Sequence, residues 1–160
     1  AMLLLYFFAL RSSGLFDIPA AAIREKIAEL GIDSPAKYLA TGLFYALFHS
    51  LMEEYYWRWF VFGRLRKFLS FGLCLAISSL GFMAHHVVLL ATYFGWDSPN
   101  TYLLSISVAV GGLVWAWIYE RHGTLYGPWL SHLLVDAGIF WIGYDLANSI
   151  LHAQPVILVG

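Results

Sequence analysis

The chain has 160 residues and a net charge of −1; it is 61% hydrophobic and only 12% charged, with a mean hydropathy of +0.71. A soluble domain is about 45–50% apolar and about 25% charged, so this composition points away from one and toward a polytopic membrane protein. The near-neutral charge leaves no electrostatic footprint for nucleic acid, and a single cysteine, Cys74, leaves no disulfide framework.

Residues 2–10 are apolar but shorter than the roughly 20 residues a span needs. No basic residues precede them, as a signal peptide would require. They read as the end of a first transmembrane helix whose beginning is missing. Pro19 and Gly31 then bracket a run in which Ile23, Ile27 and Leu30 recur at amphipathic helical spacing. That helix is expected on the membrane surface or against the bundle. Residues 1–37 are thus a truncated first helix plus an interfacial segment, and 38–153 the core.

Ser34-Pro35 opens the first of four long apolar segments, covering about 35–62, 68–94, 101–120 and 125–152, with Gly138 and Gly143 as weak points in the last. The bias of Lys and Arg puts Arg64, Arg66 and Lys67 in the cytoplasm, Asp97 outside and Arg121 in the cytoplasm again. The expected fold is all-α, a polytopic transmembrane helical bundle with its catalytic site within the membrane. Membrane lipids are expected partners, with a bacterial plasma membrane as the expected location.

Charge in hydrocarbon costs several kcal/mol, so an intramembrane ionisable residue faces the bundle interior, finds a partner and by default marks function. Glu54 and Arg58 are four residues apart, share a helix face and can pair. Glu53 lies about 100° around from Glu54, with His49 as its neighbour one turn back. Glu54 is therefore expected to be held ionised by Arg58, leaving Glu53 free to accept a proton as a general base must. The plainer reading is a structural ion pair.

His85 and His86 are adjacent, so at most one is expected in the site. His132 and Asp136 are again four apart, a spacing at which an acid can orient an imidazole or simply share a hydrogen bond along the helix. If these clusters converge, Glu53, His86 and His132 can hold one zinc with an open fourth position. Without metal, Glu53 can deprotonate water while His86 and His132 stabilise the oxyanion. Both options stay open. The His-Glu-x-x-His signature of soluble metalloproteases is absent. Glu120, His122, Asp145 and His152 read as loop, helix-end or interfacial residues, and the seven tryptophans as anchors or packing.

Glu53-Glu54-x-x-x-Arg58, Phe82-x-x-x-His86 and His132-x-x-x-Asp136, in this order, resemble the three-motif signature of the CPBP family. That family comprises the CAAX prenyl endopeptidases and the Abi-type intramembrane proteases. The stretch from Trp117 to His132 is similar to the family's approach to its third motif, and the resemblance covers about 38–150. It implies an intramembrane endopeptidase acting on a peptide or lipidated-protein substrate, including prenylated CAAX-like ones. Glu53 would activate water, with His86 sharing its positioning. His132 and Asp136 would stabilise the oxyanion or complete a metal site, while Glu54 and Arg58 would hold the helix and its electrostatics. Counting from Phe82 selects His86, whereas the Ala84 context selects His85; the Ser78-Ser79-Leu80 register favours His86. The alternative is a non-proteolytic immunity or partner-binding membrane protein of the same fold.

Overall fold

The computed structural model describes residues 2–14 and 17–151, and all regular structure among them is helical. Six helices follow in order: α1 (2–10), α2 (Asp17–Glu29), α3 (35–65), α4 (Phe71–Phe94), α5 (Pro99–His122) and α6 (Tyr126–Leu151). The expected end of the last segment at His152 lies outside the described residues.

Local chemistry explains the boundaries. Pro35 and Pro99 stand in the first turns of α3 and α5, where the missing N–H costs nothing. The Ser34 hydroxyl accepts from the Lys37 N–H, and the Ser98 hydroxyl from the Asn100 N–H. Gly95 and Gly123 end α4 and α5 with φ of 88° and 65°, a backbone region that favours glycine. Phe68 was expected inside the second segment, but 65–70 turns instead, with the Phe68 and Leu69 N–H groups both returning to the Leu65 carbonyl at 2.9 Å.

Two features depart from a regular α-helical reading. Helix α3 is continuous, but its backbone widens into π-helical turns at Tyr45–His49 and Tyr55–Phe62, on either side of the α-helical Ser50–Glu54. Wide turns of this kind concentrate at functional sites. Helix α6 runs unbroken through Gly138 and Gly143. Gly143 is used for contact: a Cβ there would lie 2.5 Å from the Tyr38 hydroxyl, which donates to the Phe140 carbonyl at 2.9 Å.

Helices α4 and α5 form a tight antiparallel pair joined by residues 95–98. Gly112 allows it, because a Cβ there would already touch Phe82 and Ser79 at 3.3–3.4 Å. Helix α6 lies against α2, α3 and α5. The amphipathic α2 packs on the bundle, where Ile27, Ile32, Tyr38 and Ala147 form one buried cluster. At the other end Phe62, Cys74 and Ala116 form a second, beside which Arg66 pairs with Glu120 at 2.8 Å. The joint after α3 and the end of α5 therefore lie at the same end of the bundle.

The packing is inverted relative to a soluble protein. Ser50, Glu54, Arg58, Ser78, Ser79, Thr101, Ser105 and His132 are buried, while Phe8, Phe68 and Leu134 are each at least 70% exposed. Ser50 and Ser105 satisfy their hydroxyls on carbonyls one turn back, at 2.5 and 2.6 Å. In water so large an apolar exterior is a liability, whereas in lipid it is the solvated surface. Among the described residues two helices, Phe71–Phe94 and Pro99–His122, are long and apolar enough to cross a membrane.

Candidate active site

The three polar clusters converge on the inner faces of α3, α4 and α6. Glu54 and Arg58 are 0% and 1% exposed, and Arg58 Nε lies 2.9 Å from Glu54 Oε2. The guanidinium lies over the rings of Phe82 (4.6 Å) and Trp115 (5.2 Å), so its delocalised charge rests against two adjoining aromatic rings. The Nε–H is not directed at the carboxylate oxygen, which makes this a charge contact more than a hydrogen bond.

Glu54 has a second task. Its Oε1 accepts from His132 Nδ1 at 2.7 Å, with His132 only 3% exposed. That bond leaves Nε2 as the ring nitrogen turned toward Glu53 Oε2 and Asp136 Oδ1, 3.5 Å from each. The expectation that Asp136 is the acid orienting His132 is therefore corrected. Glu54 makes the short bond, and Asp136 stands at the edge of hydrogen-bonding reach. Trp115 fixes the ring plane, stacked on His132 at 4.1 Å and 14°, with its own Nε1–H given to Ser131 at 3.2 Å.

Glu53 is the more accessible acid, at 13% side-chain exposure. It accepts from His85 Nε2 at 3.0 Å, with His132 Nε2 at 3.5 Å and His49 Nδ1 at 3.8 Å. Three imidazoles thus face one carboxylate. His86 makes no direct bond to Glu53; its Nδ1–H is given to the Phe82 carbonyl at 3.0 Å, which leaves Nε2 as its lone-pair nitrogen. The two adjacent rings lie 4.1 Å apart. The expectation that only one of the pair reaches the site is therefore corrected as well: His85 bonds the acid, and His86 lies beside it.

This geometry bears on metal binding. Ligand atoms of Glu53, His85 and His86 all lie within 4.8 Å of one another, the one such group among the described residues. Two imidazoles and a carboxylate suit zinc in chemical type. The trio expected from sequence, Glu53, His86 and His132, is not the one that comes together. His132 Nε2 lies 3.5 Å from Glu53 Oε2 but stands outside that group.

How closely the aromatics hold the site is what the sequence reading did not show. Phe82 touches the rings of His85, His86, His132, Trp57 and Trp115 at 4.6–6.0 Å. Trp57 lies parallel to His85 at 5.7 Å and 6°. Of the two readings open for the tryptophans, anchoring or packing, Trp57 beside Arg58 takes the second. Gly81 keeps Trp57 in place, since a Cβ there would lie 2.7 Å from its ring. Gly81→Ala is expected to cost about 1–3 kcal/mol of stability by overpacking and to displace His85 with Trp57. A melting curve and a cleavage rate check this; parental values in both would show that Trp57 yields freely.

Fold and site define a class first: an all-helical, membrane-associated protein with a buried acid–imidazole cluster. Residues 35–138, well over half of the chain, match the family described as Rce1-like, type II CAAX prenyl endopeptidase, and the chain belongs to that family. Membership implies a CAAX-type endopeptidase, a hydrolase of peptide or prenylated-protein substrates at a membrane. No curated protein and no solved structure matches the chain. Glu53, Glu54, Arg58, His85, His86, His132 and Asp136 all fall within the matched residues.

Proposed function

We propose that this chain is a multi-pass intramembrane endopeptidase in which Glu53 activates the hydrolytic water and His132 faces the developing oxyanion. The observation that carries the reading is the placement of Glu53 Oε1 and Oε2 against His85 and His132 at 3.0 and 3.5 Å, in a part-exposed position. Water held there gives its proton to Glu53 as it attacks the scissile carbonyl. The carbonyl oxygen gathers charge toward His132, which acts here as an imidazolium with Nδ1–H on Glu54 and Nε2–H on the oxyanion, and Glu53 then passes the proton to the leaving amine. Glu54 aims His132 through Nδ1, Arg58 neutralises Glu54, and His85 and His86 position Glu53 and the water. Asp136 borders the oxyanion side. Prenylated CAAX-like peptides are the substrate class the family suggests.

Glu53, His85 and His86 also support a zinc-assisted version. A bound zinc would polarise the carbonyl and lower the pKa of its water. The decisive experiment reconstitutes the chain in liposomes with prenylated and unprenylated CAAX peptides, and measures both cleavage and metal content. Cleavage of the prenylated peptide is expected, and none of either peptide would sink the protease reading. One zinc per chain, lost in His86→Ala, would select the metal version; chelator-insensitive cleavage without zinc would select the metal-free one.

A second reading, a partner-binding membrane protein, is favoured by one observation. The outer face of α3 carries an apolar groove of about 440 Å³ lined by Leu51, Met52, Tyr55 and Tyr56, pointing away from the acids. On this reading, partner binding survives Glu53→Gln.

A further inference from the structure

Away from the acid–imidazole cluster, the joint after α3 and the end of α5 enclose a pocket of about 280 Å³ lined by Trp59, Gly63, Arg64, Lys67 and Tyr119. We propose that it binds the phosphate of an anionic phospholipid headgroup. The inference rests on the membrane placement of the chain and not on its protease chemistry.

Charge is the first argument. Arg64 and Lys67 are exposed and have no carboxylate partner among the described residues. The one acid nearby, Glu120, is taken by Arg66, whose Nη2 and Nε both donate to its Oε1 at 2.8 and 3.1 Å. Two cations without counterions therefore share the mouth of one pocket. Such a site attracts an anion, and the ammonium of a zwitterionic headgroup finds no free acid there.

Depth is the second argument. Trp59 and Tyr119 form the walls, residue types that concentrate at headgroup level. Arg64 lies 6.0 Å over Phe60 and Arg121 lies 5.4 Å over Trp117, so the cations rise from an aromatic collar at the end of the apolar span. Shape is the third. Gly63 sits in ordinary helical conformation, and a Cβ there would meet nothing closer than the Arg58 carbonyl at 3.5 Å. The space beside it is therefore open, and a larger side chain can occupy it without a backbone clash.

The test uses the full chain in nanodiscs of mixed phosphatidylglycerol and phosphatidylcholine, with retained lipid counted by native mass spectrometry. Phosphatidylglycerol is expected to be retained preferentially. Arg64→Gln and Lys67→Gln should each weaken retention about fivefold, the worth of one interfacial cation. Gly63→Leu should do so with every charge in place. Arg121→Gln, outside the pocket, should change little. Equal retention of both lipids would overturn the site. So would an Arg121→Gln effect as large as that of Arg64→Gln, which would mean diffuse surface attraction. Gly63→Leu without effect would also overturn it, and displacement of the lipid by inorganic phosphate would reassign the pocket to a free anion. A chain that does not enter nanodiscs would remove the membrane placement and this site together, whatever its peptidase activity.

Discussion

Glu53→Gln is expected to lower cleavage by about a thousandfold, within the range a positioned general base contributes. The substitution keeps the shape of the side chain and an oxygen that can accept from His85, so the loss is chemical. On the proposed mechanism it removes only the group that takes the proton. Glu53 is part-exposed and is not the partner of Arg58, so the melting temperature should stay close to that of the parent. Initial rates on a reconstituted peptide, read beside a melting curve, separate the two effects. Cleavage at the parental rate would mean that another group activates the water.

Arg58→Met should do the reverse and strike stability first. Removing one member of a buried ion pair leaves the other charged and uncompensated, at a cost of about 3–5 kcal/mol. Here the orphan is Glu54, which has no solvent exposure. Arg58→Lys should rescue it poorly, because an ammonium cannot spread its charge over the rings of Phe82 and Trp115 as a planar guanidinium does. The double variant Glu54→Gln/Arg58→Met should be more stable than Arg58→Met alone, since it buries no lone charge. Thermal unfolding in detergent gives all three values. A parental melting temperature for Arg58→Met would show that His132 alone suffices as the partner of Glu54.

Much of this arrangement could be read from local pattern. The long apolar runs, Ser34-Pro35, the basic joint after Phe62 and the Glu54–Arg58 spacing depend on neighbours within a turn or two, and there the sequence is explicit. The all-helical architecture and the family followed from them. What local pattern could not provide was the aim of individual rings. Whether His85 or His86 meets Glu53 depends on how α4 is rotated about its axis, and Gly81, Trp57 and Gly112 set that by contacts with α3 and α5. The acid that orients His132 comes from α3, 78 residues away, and the i, i+4 partner Asp136 was the nearer but wrong candidate. The π turns around Glu53 and Glu54 were equally hidden, because a widened turn leaves no change in apolar periodicity over so short a stretch.

On the proposed mechanism, the bond between Glu54 and His132 also sets a time at which the protein becomes competent. Glu54 and Arg58 belong to one helix and can neutralise each other as soon as that helix exists. His132 is made 78 residues later, about 4–16 s at ordinary rates of synthesis. Until α6 arrives, the acids have no imidazole from that helix, and a chain interrupted before it carries a paired but inert half-site. On the proposed reading, the acid–imidazole centre is thus assembled only when α6 joins α3 and α4.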